Sequence, residues 1–476
     1  MPATEVTING DYILDQVFGG GNGKSTATFT NPGANVGLYN NGTEYGTGIA
    51  ETKLVGGQVH VVYGGSNTLG NVRGGTKLNR NESNTCDLKV GEIYGAGQVA
   101  PMDGDVNIIL ECMPNDFVEA VYGGAKNAEI NGNVSLTVTS GKFGRVFGGN
   151  NVGGSINGSI KVNVYEDGCQ PLIIGELYGG GYNAPYSIYG CTAGTTPSDP
   201  WTANESGIPY FEGDPENRVD VEVNVYSCTS IGKVFGGGYG STAKVIGNTH
   251  VYINTMQGIV NGAKQTYETV PENVYIGKIG QVFGGGNAAP VKGDVTIDIG
   301  TATANTEHST GQEAEKIGVR IISGGDYLNA ESNTSTSITA GIYGGGNAAD
   351  VDGNVTMNIG TVSQNQGITI GGDIYGGGYG ETTHVTGNVT MNIGANAGTN
   401  ESPNYVGYAT ITGDVYGGSA KGKVNSHLVE STETYTDGKT TQVNFYGGII
   451  TGNLYGGGKG ESTHAADVYG PVTVTM

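Results

Sequence analysis

The sequence predicts an all-β fold, a right-handed parallel β-helix (β-solenoid) of about thirteen coils with loop insertions. Two repeats and one absence predict it. Thirteen times an aliphatic residue, usually followed by an aromatic, runs into a glycine cluster, from Val17-Phe18-Gly19-Gly20-Gly21 to Leu454-Tyr455-Gly456-Gly457-Gly458. Eight segments alternate apolar and polar residues after a short turn, as in Gly353-Asn354-Val355-Thr356-Met357-Asn358-Ile359-Gly360. No stretch carries a capped helical pattern of 3.6-residue period, which argues against βαβ units. Self-similarity over tens of residues marks a stack of one supersecondary unit, and residues 1–476 read as a single such domain.

The alternating segments are strands with one face buried and one wet. Val134, Leu136 and Val138 point one way, and Ser135 and Thr137 the other; Val295, Ile297 and Ile299 repeat the pattern around Thr296 and Asp298. β-Branched residues dominate the inner rows, as a pleated surface favours. The aromatic–glycine repeat is also strand-like and ends in a bend, where glycine allows positive φ and close backbone approach.

Strand, glycine corner, strand and loop then recur. The rings of Tyr63, Tyr94, Tyr122, Phe147 and Tyr178 follow one another at the spacing of roughly 25–32 residues expected of one solenoid coil. The step from Phe283 to Tyr343 is about double, which reads as two turns with the ring-less copy Ile322-Ser323-Gly324-Gly325 between them. Propeller blades need about 40–50 residues and four strands each, so this spacing is too short for them. Coils about 4.8 Å apart would stack into a rod on the order of 60 Å long.

Stacking places equivalent side chains in columns. The asparagines after the glycines (Asn22, Asn67, Asn127, Asn151, Asn183, Asn287, Asn347) are expected to hydrogen-bond along the axis, with a sugar-binding row of amides as the alternative. If the aliphatic residue faces inward, its aromatic neighbour faces outward, and twelve rings form a stacked ladder. That ladder is either packing or a platform for carbohydrate rings.

Lys and Arg number 22 against 44 Asp and Glu, a net charge of −22. No cationic stripe is present, so nucleic acid is excluded as a partner, and anionic membranes and polyanionic substrates such as pectate are disfavoured. No run approaches the ~20 apolar residues of a membrane span. Met1-Pro2-Ala3-Thr4-Glu5 lacks the features of a secretion signal, and Val472-Thr473-Val474-Thr475-Met476 stops within a strand pattern. The expectation is a segment excised from a longer protein. The five cysteines form no CxxC pair; Cys169 and Cys191 flank one corner and are placed to bridge, with buried free thiols the alternative and Cys86, Cys112 and Cys228 unassigned.

Candidate chemistry is sparse. Glu381-x-x-His384 and Glu461-x-x-His464 have a zinc-like spacing but sit in glycine turns, so they read as repeat decoration. Asp103/Asp105 and Asp350/Asp352 are the best carboxylate pairs for glycoside hydrolysis. Position 105, however, belongs to a row that reads Asn133, Ser159, Asn248, Asp294, Asn354 and Asn388, which is turn chemistry. No catalytic residue and no metal site is assigned; calcium held by turn carboxylates is the one cofactor considered. Insertions interrupt the repeat at about 23–50, 184–219, 299–318, 395–408 and 424–442. The insertion 184–219 gathers Tyr186, Tyr189, Trp201, Tyr210 and Phe211 among Ser, Gly, Pro and Asn, and is the sequence's candidate ligand-binding loop. The alternative is a loop folded over the flank with its rings buried.

The Tyr-Gly-Gly-Gly-Asn corners and Gly-Asn-Val-Thr-Met-Asn-Ile-Gly strands resemble the repeat regions of large bacterial adhesin-like surface proteins. The resemblance covers most of the chain outside the insertions and is one of repeat style. It implies a non-enzymatic, secreted or cell-surface stalk that binds glycans or host and cell-surface proteins. Two other readings stand beside it: a carbohydrate-active β-helix hydrolase or lyase, and a filament subunit that associates end to end through open strand edges.

Overall fold

The structure is a computed structural model that describes residues 3–10, 12–23, 34–40, 43–45, 47–80, 88–114, 116–166, 169–187, 220–254, 257–260, 263–266, 277–301, 318–361, 368–399, 401–429 and 431–476. Those residues form strands, bridges and turns, with no helix among them. Thirteen strands make a first sheet, ordered from Thr4–Ile8 to Val472–Thr475. Every pairing in it is parallel and in register; Val355, Met357 and Ile359 stand against Val389, Met391 and Ile393. Period-2 alternation is the cause. Val134, Leu136 and Val138 are buried while Ser135 and Thr137 are half-buried, and Val295–Ile299 repeats this.

A second sheet of sixteen strands begins at Ile13–Phe18 and takes in each aromatic–glycine segment. The chain passes from a first-sheet strand to a second-sheet strand, through a short third pairing, and back to the first sheet. The third pairing is a column of apolar side chains: Val36, Val72, Met102, Ile130 and Ile156, then Tyr186, Val245, Val291, Val351, Val385, Val424 and Val468. All three contribute to one continuous core. Each buried Val, Leu or Ile adds about 1.5–3 kcal/mol relative to exposure. Long parallel sheets around a shared core fit a β-solenoid.

Glycine is required at the corners because successive rungs nearly touch there. A Cβ on Gly179 would strike the Gly236 carbonyl and lie 2.5 Å from Val221 Cγ1. The turn into the first sheet is held by the predicted Asn/Asp row. Asn133 N donates to Asp105 Oδ1 at 2.8 Å, Ser159 N to Asn133 Oδ1 at 2.9 Å, and Asn354 N to Asp294 Oδ1 at 2.8 Å. Each side chain thus satisfies a backbone N–H of the next rung.

Two expectations are corrected. Phe283 pairs directly with Tyr343, and Val295–Ile299 with Val355–Ile359, so the segment from 283 to 343 is one rung. Ile322-Ser323-Gly324-Gly325 is not a corner. Val319–Ile321 and Gly341–Tyr343 both pair with Lys278–Phe283, and an antiparallel hairpin, Tyr327–Asn329 with Thr334–Thr336, is inserted between the two halves. Second, Cys169 is disulfide-bonded to Cys112, with Cα atoms 5.1 Å apart, and not to Cys191; Cys228 is a buried free thiol. Cys86 and Cys191 lie outside the described residues.

Candidate functional site

The aromatic ladder forms on the outside of the second sheet. Phe18, Tyr63, Tyr94, Tyr122, Phe147, Tyr178, Phe235, Phe283, Tyr343, Tyr375, Tyr416 and Tyr455 stack with centroids 4.6–5.2 Å apart and planes within 16°. It packs as a cluster separate from the core, and the ten inner rings are buried. Both faces of each inner ring are therefore covered by its neighbours. Stacking of a sugar needs an open ring face, so the ladder serves as packing.

At four tyrosines the residue two positions earlier is a carboxylate that accepts from the phenol; before Tyr63, Tyr122 and Tyr343 stand Val61, Ala120 and Gly341, and the Tyr63 hydroxyl is enclosed without a hydrogen-bond partner among the described residues. Tyr94, Tyr178, Tyr375 and Tyr416 donate their hydroxyls to Glu92, Glu176, Asp373 and Asp414 at 2.9–3.0 Å. Before the phenylalanines 18, 147, 235 and 283 stand Gln16, Arg145, Lys233 and Gln281. A phenol needs an acceptor when buried; a phenyl ring does not. Burial pushes the Tyr63 phenol up to about 12 and raises Tyr94, Tyr178 and Tyr375 as well, so these hydroxyls stay protonated.

Beside the ladder runs the column of residues that follow the glycines. Bridges link Tyr182, Tyr239, Asn287, Asn347 and Tyr379 in that order. Among the described residues the expected axial amide chain is realised here once, where Asn347 Nδ2 donates to Asn287 Oδ1 at 2.9 Å. Asn287 and Asn151 instead donate to the Tyr178 and Tyr94 hydroxyls, at 3.1 and 2.6 Å. Asn183, with φ +54°, turns out of the column that Tyr182 occupies. The long amide chain lies on the first sheet, where Asn444, Asn392 and Asn358 pass hydrogen bonds to Asp298 at 2.8–2.9 Å.

A polar groove of about 500 Å³ opens on this flank. Arg145, Glu176, Lys233 and Gln281 form its floor, Tyr239 and Asn287 one wall, and residues 328–331 and 336–339 the other. The hairpin can sit so close because the adjacent column of the second sheet is glycine. A Cβ on Gly175 would lie 2.6 Å from Leu328 O, and on Gly232 2.8 Å from Ile338 Cδ1. Ser230 Oγ donates to Asp326 O at 3.0 Å and anchors the hairpin base. The floor charges face each other without closing: Arg145 Nε to Glu176 Oε2 is 3.5 Å, and Lys233 Nζ to Glu176 Oε1 is 3.8 Å. Further along, a groove of about 390 Å³ is lined by Tyr375, Tyr379, Lys421, Lys459, Asp373 and Glu461 among others. Here the pairs are closed, Lys459 to Asp373 at 2.7 Å and Lys421 to Glu461 at 3.1 Å. Burial alone would raise Asp373, but hydrogen bonds from Lys459, the Asp414 backbone and Tyr375 hold its carboxyl below the usual range.

Of the candidates in 184–219, Tyr186 is buried in the third column, and its single hydroxyl proton is shared between Gly158 O at 2.8 Å and Asp220 O at 3.1 Å. Tyr189, Trp201, Tyr210 and Phe211 lie outside the described residues. The two Glu-x-x-His turns cross-link rungs: His464 Nε2 meets Glu381 Oε2 at 2.8 Å. His384 is buried between Asp350 Oδ1, 3.2 Å from Nδ1, and Glu433 Oε1, 2.7 Å from Nε2. The hydrogen bond that His384 donates to Asp350, opposed by burial and reinforced by the one it donates to Glu433, raises its pKa. Asp103 accepts from Asn71 at 2.7 Å and Asn131 at 3.1 Å, and Asp105 from the Asn133 backbone. Among the described residues no group of three or more His, Cys, Asp or Glu is placed to hold a metal ion, and no helix is long and apolar enough to cross a membrane. The groove and its hairpin escaped the sequence reading. Their signal was a single alternating strand, Val295–Ile299, within the 283–343 segment that reads as two turns.

No protein-family model, no curated protein and no solved structure matches this chain.

Proposed function

We propose that this chain is a right-handed parallel β-helix of about thirteen coils that acts as a non-enzymatic, adhesin-like stalk at a bacterial cell surface or outside the cell. The observation that carries this reading is the pairing of an uninterrupted thirteen-strand parallel sheet with hairpins inserted between rungs. Such a scaffold is stiff along one axis and leaves recognition to its projections. The Cys112–Cys169 disulfide suits an oxidising compartment. The carboxylate pairs best suited to hydrolysis are engaged: Asp105 by the Asn133 backbone, and Asp350 by the His384 backbone at 2.8 Å. The same bonds occupy oxygens that calcium would need.

Glycan and extracellular-matrix arrays test the proposal, with Trp201→Ala beside the native chain. Specific retention on glycans or matrix proteins is the expected result. Release of products from polysaccharides would overturn the non-enzymatic reading in favour of a hydrolase or lyase. Trp201→Ala then separates binding by the 184–219 loop, which it abolishes, from binding elsewhere on the stalk.

A further inference from the structure

We propose that the groove between the 327–336 hairpin and Tyr239 is a binding site for a saccharide unit bearing a single carboxylate. This deepens the adhesive reading and rests on it. The first ground is an excess of donors. Two cations, Arg145 and Lys233, share one floor carboxylate, Glu176, whose Oε2 already accepts the Tyr178 hydroxyl at 3.0 Å. At 3.5 and 3.8 Å neither cation closes a hydrogen bond with Glu176. The hairpin's Glu331 is no nearer, 3.9 Å from Arg145 Nη2 with its side chain mostly in solvent. Arg145 Nε is enclosed and makes no hydrogen bond among the described residues. The Gln281 amide and the Tyr239 hydroxyl, half-buried and not enclosed, also show no hydrogen bond among the described residues. An enclosed donor without an acceptor is costly, and a ligand carboxylate between Arg145 and Lys233 supplies acceptors to both.

The second ground is the opposite wall. Thr336, Ser337 and Thr339 line it with hydroxyls, which match the hydroxyls of a sugar ring. A peptide or lipid would need an apolar anchor pocket. Of the groove's two large aliphatics, Ile338 is 9% exposed and packed on the Gly232–Gly280 column, which leaves the half-buried Leu328 alone, short of an apolar pocket. Size also fits, since about 500 Å³ lies within the range of small-molecule sites. The net charge of −22 opposes a polyanion, so the ligand carries one acidic group.

The test is calorimetric or saturation-transfer NMR titration of the full chain with glucuronic acid, glucose and acetate. Glucuronic acid should bind, and glucose and acetate should bind at least tenfold more weakly. Lys233→Gln should weaken glucuronic acid at least tenfold, while Lys161→Gln, on the outer face of the first sheet beside Glu222, should leave it unchanged. Equal binding of glucose and glucuronic acid would refute the carboxylate, and acetate binding as tightly would reduce the site to an anion site. If the arrays retain the chain but glucuronic acid does not bind, or Lys233→Gln binds as the native chain does, the groove assignment fails and the adhesive reading stands. Silence on the arrays and in titration removes both.

Discussion

Along one flank of the second sheet, Arg145, Glu176 and Lys233 stand 3.5 and 3.8 Å apart, whereas some rungs further on Lys459 meets Asp373 at 2.7 Å. The partners also come from different places. Arg145, Glu176 and Lys233 occupy one column, and in-register pairing holds successive members of a column near the strand spacing of about 4.8 Å. Lys459 follows a glycine corner and reaches across columns to the row before the rings, so its own flexible stem sets the distance. His384 shows the same cross-element closure in a buried setting, joining Asp350 of the preceding rung to Glu433 of the 426–435 hairpin, with Lys423 Nζ 3.0 Å from Glu433. A column can also close, as Lys161 with Glu222 at 3.1 Å and the first-sheet asparagines at 2.8–2.9 Å do, so the open spacing belongs to the Arg145–Glu176–Lys233 column itself.

The largest effect should come from breaking a closed, buried junction. Replacing His384 by Ala leaves Asp350 and Glu433 without their shared donor, and should cost about 2–3 kcal/mol. Amide hydrogen exchange should localise the loss to 426–435 and the 384–385 strand; a uniform change across the sheets would contradict it. Titration should reproduce part of the effect. Carboxylates accept only, so two carboxylate contacts require both ring nitrogens to be protonated. The folded pKa of His384 is raised, so the stabilisation is complete below its unfolded value of about 6.5 and is lost as pH rises through the folded value. Glu433 is shifted the other way: burial would raise it, but hydrogen bonds from His384 and Lys423 hold it below the usual range. Its share is present above about 4.5 and lost in acid. Protection of the hairpin should therefore peak in mildly acidic solution and decline towards alkaline pH.

A smaller effect is expected within the ladder. Tyr178→Phe removes a hydroxyl that donates to Glu176 and accepts from Asn287, and should cost about 1–2 kcal/mol by denaturant titration. Adding Glu176→Gln recreates the arrangement of Gln281-Val282-Phe283 without placing a third cation between Arg145 and Lys233, and should recover part of that loss. Strict additivity of the two changes would break the link between ring type and the residue two before it. The smallest effect belongs to the open column. Lys233→Met should change stability by less than about 0.5 kcal/mol, because a pair held at 3.8 Å near the surface contributes little. A loss above about 1 kcal/mol, the upper end for exposed pairs, would mean that the groove charges are structural after all.

Much of the fold was legible in the chain. Alternation in Val134–Val138 and Val355–Ile359 marked the first sheet, and the interchangeable Asp105, Asn133 and Asn354 marked a turn whose side chains bond the next rung. Tyr186 reads as part of the 184–219 insertion because its neighbours in sequence are loop-like, while in space it pairs with Val245 of a later rung and is buried. The hairpin was hidden because splitting a strand leaves both halves looking like ordinary strand ends. The row of Glu92, Glu176, Asp373 and Asp414 before tyrosines was visible throughout. Its meaning required knowing that the rings are buried, which depends on packing between rungs distant in sequence. The groove depends on that same packing.

Twelve nearly parallel rings stacked at 4.6–5.2 Å also form an optical object. Their transition dipoles couple along the column, so the near-ultraviolet circular dichroism of the folded chain should exceed the sum of isolated tyrosines and phenylalanines. The single tryptophan, Trp201, is not one of those rings and absorbs at longer wavelength. The protein therefore carries two spectrally distinct reporters, one for the continuity of the stack and one for the insertion at 184–219. Fraying of terminal rungs should shrink the first signal gradually and leave the second unchanged.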